Sequence, residues 1–478
     1  MHTFKNSRSV TPLCAVTMGL SLCLLGCGDT ASEGPAPPSS ADANDDASGA
    51  ATADTNPTGA SDTDGPTVGQ PSGDEDSGRA TTTDITAASD AGPIEEPTAP
   101  EPTEPALSCL EDDGVVVPTP DTYADYKGWG FTRYAEVVAP NGKPIKLFAA
   151  DKVSDEMVHR ARNVLRFFLT DVPGSQYGAD KAAVANSMAD YGATLMLPNG
   201  AHEEGNEPPF DAQPLYEAEM TVEGGDWYLT NDWEHRDATF EEIFHLVHDA
   251  GIGTYMPGAL PDYQAELHAE AVASIEDGRW GIPIDPSVSD WLEELADEDS
   301  LAQEYIASVI DSYYGYWGAF DEAPGGMWGV YIAKTRDEIS EKDPKGLALL
   351  EAFLPSMAHY EARLAKSFSG TFEMTFDPAT PYTHKSRYLV AVTLTGDTSA
   401  SIHGNDSDNT LRGNLGDNTI DGAEGDDTVI YCLDRAAYAI TVEGDALIID
   451  GPDGRDTLLS VEHLHFADGL YAAGDFEE

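Results

Sequence analysis

The spacing of apolar side chains changes along the chain. Residues 153–172, VSDEMVHRARNVLRFFLTDV, carry Met157, Val158, Ala161, Val164, Leu165 and Phe168 at the interval of a helix with one buried face. ALPDYQAELHAEAVASIED, DSLAQEYIASVIDSYYGYWG and KGLALLEAFLPSM repeat that interval, and Ser300 with Gln303 has the form of a capping box. The shorter runs KPIKLFAA and ATLMLP read as strands. Beyond about residue 370 the helical interval disappears, and GTFEMTFD and RYLVAVTLTG alternate or run apolar as strands do. The pattern predicts an α+β chain: a mostly helical domain over 108–370, a connecting β segment over 371–400, and a β-rich part over 401–478.

Residues 28–107 show neither period. The stretch has no aromatic residue, and Arg79 is its only Lys or Arg. Ala, Ser, Thr, Asp, Pro and Gly cannot bury enough apolar surface to offset chain entropy, so this segment reads as an acidic, disordered, extended tether. Before it, Lys5 and Arg8 precede LCAVTMGLSLCLLGC, an apolar run too short for an ordinary membrane span. The ending Leu24-Leu25-Gly26-Cys27 resembles a bacterial lipobox. That resemblance implies cleavage before Cys27, lipidation of Cys27, and export to the outer membrane or cell surface of a bacterium.

The 478 residues carry a formal net charge of −61. Nucleic acid is excluded as a partner, because phosphate binding needs clustered Lys and Arg. Calcium suits hard carboxylate oxygens, and solubility accounts for part of the acidity. Of five cysteines, Cys14 and Cys23 fall in the signal segment and Cys27 in the lipobox, leaving Cys109 and Cys432 either to pair or to remain as buried thiols.

Residues 404–430 divide into nines: GNDSDNTLR, GNLGDNTID, GAEGDDTVI. Gly opens each unit, Asp408, Asp417 and Asp426 stand at place five, and Leu411, Ile420 and Val429 at place eight. The period resembles the RTX, or haemolysin-type, nonapeptide repeat, which implies a short parallel β-roll with calcium between its turns. Place six, the family's main carboxylate ligand, is Asn409, Asn418 and Asp427, and place two is Asn405, Asn414 and Ala423 rather than Gly. These departures point to one or two weak calcium sites, or to a roll in which Asn side chains replace some metal contacts. The tail, YCLDRAAYAITVEGDALIIDGPDGRDTLLSVEHLHFADGLY, resembles the module that closes such arrays.

ATFEEIFHLVHDAG places Glu241, His245 and His248 on one helical face and Phe240, Ile243, Phe244 and Val247 on the other, with Gly251 as a natural stop. Glu241 to His245 has the spacing of the zinc motif H-E-x-x-H with its first His replaced. Glu304, followed by Tyr305, stands where a gluzincin-type zinc peptidase has its third ligand. The resemblance makes Glu241, His245 and Glu304 the metal ligands and Glu242 the general base. Such a set admits zinc or another divalent transition metal, and its extra negative charge weakens Lewis acidity before it weakens binding. A second arrangement uses His245 with His248 and a carboxylate, and His268 or His235 could join either. A third reading leaves the face without metal, solvated or hydrogen-bonded to the Tyr-rich helix, whose run Tyr313 to Trp317 reads as core. Two functions are compatible with these features. One is a metal-dependent peptidase acting outside the cell on protein substrates. The other is a calcium-binding surface or adhesion protein whose zincin-like domain is a non-catalytic scaffold.

Overall fold

The computed structural model describes residues 114–202, 209–231, 233, 236–254 and 257–476. The signal segment with Cys27, the linker over 28–107, Cys109 and His235 lie outside the described residues. Within them the chain is α+β, with a helical central region followed by sheets rich in parallel pairs.

The first sheet runs in the order β1 (Val117–Pro118), β2 (Phe131–Val138), β3 (Pro144–Ala150), β4 (Thr194–Leu197), β5 (Gln213–Pro214). β2 and β3 form an antiparallel pair, and β4 and β5 continue parallel to β3. The helices are α1 (Ala124–Gly128), α2 (Asp155–Phe168), α3 (Ala182–Tyr191), α4 (Asp226–Thr230), α5 (Thr239–Val247), α6 (Pro261–Glu276), α7 (Ser287–Asp297), α8 (Leu301–Tyr313), α9 (Arg336–Lys342), α10 (Pro344–Glu351) and α11 (Thr383–Ser386). Among the described residues no helix is long and apolar enough to cross a membrane.

Helix α2 begins where Ser154 accepts the Met157 amide at 3.2 Å, with Asp155 and Glu156 in the first turn against the positive end of the helix dipole. Its stripe Val158, Ala161, Val164, Leu165 and Phe168 is fully buried. The capping box expected at Ser300 and Gln303 does not form. The Ser300 hydroxyl donates instead to the Leu295 carbonyl at 3.3 Å, and the Gln303 amide turns to Asp249 at 3.4 Å. Tertiary partners have taken both side chains from the cap. Helix α5 is buried along its whole length, and it gives way not to a stop at Gly251 but to a π-turn over His248–Gly253. A Cβ at Gly251 would lie 2.6 Å from Val184 of α3, so glycine is what lets α3 close on this turn.

The C-terminal region winds between two six-stranded sheets. One contains β6 (Ala358–Arg363), β8 (Leu389–Thr393), β10 (Thr410–Arg412), β12 (Thr428–Ile430) and β16 (His463–Phe466), all parallel, edged by antiparallel β17 (Gly469–Ala472). The other contains β7 (Gly370–Glu373), β9 (Ala400–His403), β11 (Thr419–Asp421) and β15 (Gly454–Leu459) in parallel, edged by β14 (Ala446–Gly451) and β13 (Ala439–Glu443). Successive nonapeptides alternate between the sheets. Their place-eight residues, Leu411, Ile420 and Val429, stack in register with apolar residues of the neighbouring strands: Ala362, Val392, Leu411, Val429 and Leu464 in the first, Phe372, Ile402, Ile420 and Leu458 in the second. Each is at most 2 % exposed, and burying each branched or aromatic member contributes about 1.5–3 kcal/mol.

Both stacks begin upstream of the repeat, and the second ends in a unit that the period of nine does not reach. Residues 451–459, GPDGRDTLL, have Gly at places one and four, Asp456 at six and Leu458 at eight. Residues 431–450, which carry β13 and most of β14, separate this unit from the third. Glycine at place one is required by close approach: a Cβ at Gly404 would lie 2.2 Å from the Gly422 carbonyl oxygen.

One buried cation tests the helical packing. Lys181 is fully buried, donates to the Phe168 carbonyl at 2.9 Å and lies 4.3 Å from the Phe353 ring centroid. Burial pushes its pKa down to about 7. Between that value and the ordinary lysine range the unfolded chain binds the extra proton. Stability is therefore expected to rise with pH through this window, by at most about 1.4 kcal/mol per pH unit. Urea unfolding across that range should show the slope in the native chain and its loss in Lys181→Met.

Candidate metal centre

The centre is assembled from the first and last turns of α5 and the first turn of α8. Helix α5 is fixed at its start by Arg160 of α2, whose guanidinium donates to both oxygens of Asp237 at 2.9 and 2.8 Å, to Thr239, and to Glu223 at 2.7 Å. Helix α8 is fixed by Tyr305, whose hydroxyl donates to buried Asp343 at 2.7 Å. Asp343 also accepts from Tyr331 at 3.0 Å and pairs with Arg279. With Tyr305 held on that side, Glu304 projects toward α5.

Glu241, His245 and Glu304 each offer a ligand atom, and these atoms lie within 4.8 Å of one another. Among the described residues this is the one such group of three or more His, Cys, Asp or Glu side chains. His245 Nε2 lies 3.6 Å from Glu304 Oε1. Glu242 faces the other ring nitrogen, with Oε2 3.3 Å from His245 Nδ1, and the same oxygen accepts from the Gln213 amide of β5 at 2.7 Å. Glu241 forms an ion pair with Arg236, whose guanidinium also stacks 5.3 Å from the Trp328 ring centroid.

Glu241, Glu242 and His245 are all under 5 % exposed, so the polar face of α5 is not a solvated one. Burial disfavours charge on His245, but Glu304 and then Glu242 outweigh it and push the ring's pKa up to about 9. Burial also raises Glu304, against the pull of His245. Asp311, one face-repeat further along α8, is pushed up to about 7 by burial despite Arg236 nearby.

The donor set fits a divalent ion. His245 Nε2 is buried and makes no hydrogen bond, while the Nδ1 side of the same ring is held by Glu242, and Glu241 Oε2 faces Arg236. Buried polar atoms are almost always partnered, and a ring fixed through one nitrogen presents the other as a ligand. Two carboxylates and one imidazole suit zinc, manganese or iron.

The other candidate residues lie elsewhere. His248 Nε2 meets the Gln264 side chain at 2.5 Å, and burial pushes the ring's pKa down to about 4. His268 is exposed on α6. In the roll, Asp408 and Asp417 accept the amides of Asp426 and Arg455 one coil on, each at 3.0 Å. Asn409 and Asn418 exchange hydrogen bonds with Asn405 and Asn414 and send their amides to Asp427 and Asp456. Asp426 pairs with His463 at 2.8 Å, whereas Asp427 Oδ2 is buried without a hydrogen bond. Cys432 is disulfide-bonded, and every other cysteine of the chain lies outside the described residues. Arg236, Gln213 and Asp311 carry no motif, and only the folded chain brings them to the centre.

The chain matches no known family model and no curated protein sequence.

Chain saturated with zinc and dialysed against metal-free buffer is expected to retain about one equivalent, and His245→Ala or Glu304→Gln less than about a tenth. Elemental analysis checks this, and equal retention by His248→Ala separates the two histidines.

Proposed function

We propose that the chain is an exported, lipid-anchored protein of a bacterial outer membrane or cell surface. In this reading a divalent metal centre at Glu241, His245 and Glu304 serves hydrolysis of peptide bonds, and an RTX-like roll takes calcium. The observation that carries the hydrolase reading is the convergence of Glu304 on the Glu241/His245 pair within 4.8 Å. The metal, when bound, supplies Lewis acidity, weaker with two carboxylate ligands than with the two imidazoles of the gluzincin pattern. Glu242 Oε2 holds His245 Nδ1 and the Gln213 amide. The resemblance to the zinc-peptidase motif assigns the same residue the proton of the attacking water. Helix α5 and the adjoining edge strand β5 bring Glu242 and Gln213 to one wall of the site.

A second reading has its own support. Arg236 on Glu241, with protonated His245 between Glu304 and Glu242, neutralises much of the buried negative charge without an ion. In that reading the centre is a non-catalytic scaffold in a calcium-binding surface or adhesion protein.

Hydrolysis of an unfolded, fluorophore-labelled protein by the zinc-loaded chain separates the two. The peptidase reading expects turnover lowered about 100-fold or more in Glu242→Gln and raised in Glu241→His, which restores a neutral first ligand. No turnover in either the native chain or Glu241→His, with zinc retained, leaves the scaffold. The calcium reading rests on buried, unpartnered Asp427 Oδ2 beside Glu462, Asp408 and Asp426. The anchor rests on the sequence around Cys27. A melting temperature equal in calcium and in chelator, or Cys27→Ser that still fractionates with membranes, would remove the corresponding part.

A further inference from the structure

A small cavity adjoins the metal centre, walled by the indoles of Trp233, Trp317 and Trp328 and by Arg236 and Asp311. Its volume is about 30 Å³. One buried water needs about half of that, so a side chain already on the wall has room to move inward. Arg236 belongs both to this wall and to the centre. Its guanidinium pairs with Glu241 and lies 5.3 Å from the Trp328 ring centroid. Nε of the same group is buried and makes no hydrogen bond.

The cavity holds a second carboxylate within the field of that arginine. Asp311 lies about two turns beyond Glu304 on the same face of α8. It is 1 % exposed, and its Oδ1 makes no hydrogen bond. Burial opposes its charge. Arg236 favours that charge, the Trp317 indole and His245 add to it, and Asp237 works against it. The other charged side chains on the wall are committed elsewhere. Asp237 is held by Arg160 at 2.9 and 2.8 Å, and Lys385 donates to Asn231 at 2.8 Å while lying 4.1 Å from the Tyr228 ring centroid. Arg236 therefore serves two buried acids, Glu241 and Asp311.

The backbone on both sides of the guanidinium is held. The lock of Asp237 on Arg160 fixes the chain next to Arg236, so a change of partner is a rotation of the side chain alone. Met327 and Trp328 are consecutive non-glycine residues in the left-handed region, at φ 48° and 51°. Such backbone persists only where its surroundings enforce it, and it gathers at functional and switching sites. Here it sets the Trp328 indole against Arg236.

We propose that Arg236 is a two-position counter-ion, which pairs with Glu241 in the metal-free chain and turns to Asp311 when a divalent ion takes Glu241. This rests on the metal reading of Glu241, His245 and Glu304. The cause is charge: an ion and a guanidinium on one buried carboxylate repel, and little water is present to screen them. Asp311 supplies the displaced cation with an acid, and the cavity supplies the space. The work of moving the arginine is subtracted from the affinity for the metal.

Zinc affinity of the full chain, measured by competition with a chromophoric chelator, tests this. Arg236→Met is expected to bind zinc about tenfold more tightly than the native chain, because nothing has to be displaced. Asp311→Asn is expected to bind about tenfold more weakly, because the arginine loses its second seat. A residue that merely supported the fold would weaken binding when removed. Zinc should also change the indole emission of the native chain, less so in Trp328→Phe and not in Arg236→Met. Equal affinities in the three chains, or weaker binding by Arg236→Met, overturn the proposal and leave the metal centre standing. If Arg236→Met does not fold, Asp311→Asn decides by the same comparison. Zinc binding that His245→Ala leaves unchanged, or that is absent from the native chain and Arg236→Met alike, removes the metal centre and the two-position arginine with it. Binding by Arg236→Met alone supports the proposal.

Discussion

The buried guanidinium of Arg160 is the interaction on which the arrangement depends. It reaches from α2 to Asp237 and Thr239 at the start of α5, to Glu223, and to the Tyr316 hydroxyl beyond α8 at 3.1 Å. Glu223 in turn accepts from Tyr360 of β6 at 2.6 Å, and its carbonyl takes the Ala365 amide. One side chain therefore ties together both helices that build the centre and the first strand of the roll. A buried ion pair adds little net stability over a well-packed apolar substitute, but losing one partner costs about 3–5 kcal/mol. Such a pair acts more as a register mark than as glue. Asp237 is locked to Arg160 while its neighbour Arg236 turns the opposite way, to Glu241.

That opposition puts an uncommon density of acid inside the protein. Glu219, Glu241, Glu242, Asp249, Glu304 and Asp311 all approach α5 or its partner helix, with Arg236 and His245 as the nearest cations. Buried carboxylates hold their charge only beside a compensating one. Arg236, a proton on His245, and a divalent ion are alternative ways of supplying it. Position 241 decides how they compete, because a histidine there would not attract Arg236.

Much of this was legible in the sequence, and the rest was not for identifiable reasons. The period of nine predicted the stacked strands, because each apolar residue at place eight has no other place to go. Glu241 and His245 could be read as a pair from their helical spacing, whereas Glu304 came only from the resemblance to the gluzincin pattern. The unit at 451–459 escaped because an intervening hairpin breaks the count, although its Gly and Asp places are intact. Ser300 and Gln303 looked like a cap, and only the fold offers them Leu295 and Asp249 instead. The face shared by His245 and His248 on an ideal helix is split once α5 passes into a π-turn and Gln264 takes the second ring. Arg236 and Gln213 act through contacts distant in sequence, which no local pattern encodes.

The intervening hairpin says something further about the roll. Asn409 donates to Asp427 eighteen residues on, whereas Asn418 reaches Asp456 across thirty-eight, yet the rungs above and below are equivalent. Coil registry is thus held by vertical bonds rather than by an unbroken thread of chain. Contacts of this kind reach only the neighbouring coil, so assembly is nearly one-dimensional. Its starting surface is fixed: β6 lies on α2, where Asn163 donates to the Glu361 carbonyl at 3.0 Å. The helical half is the surface against which the first coil packs. The rung from Asn418 to Asp456 closes the longer of the two loops, and so carries the larger closure entropy.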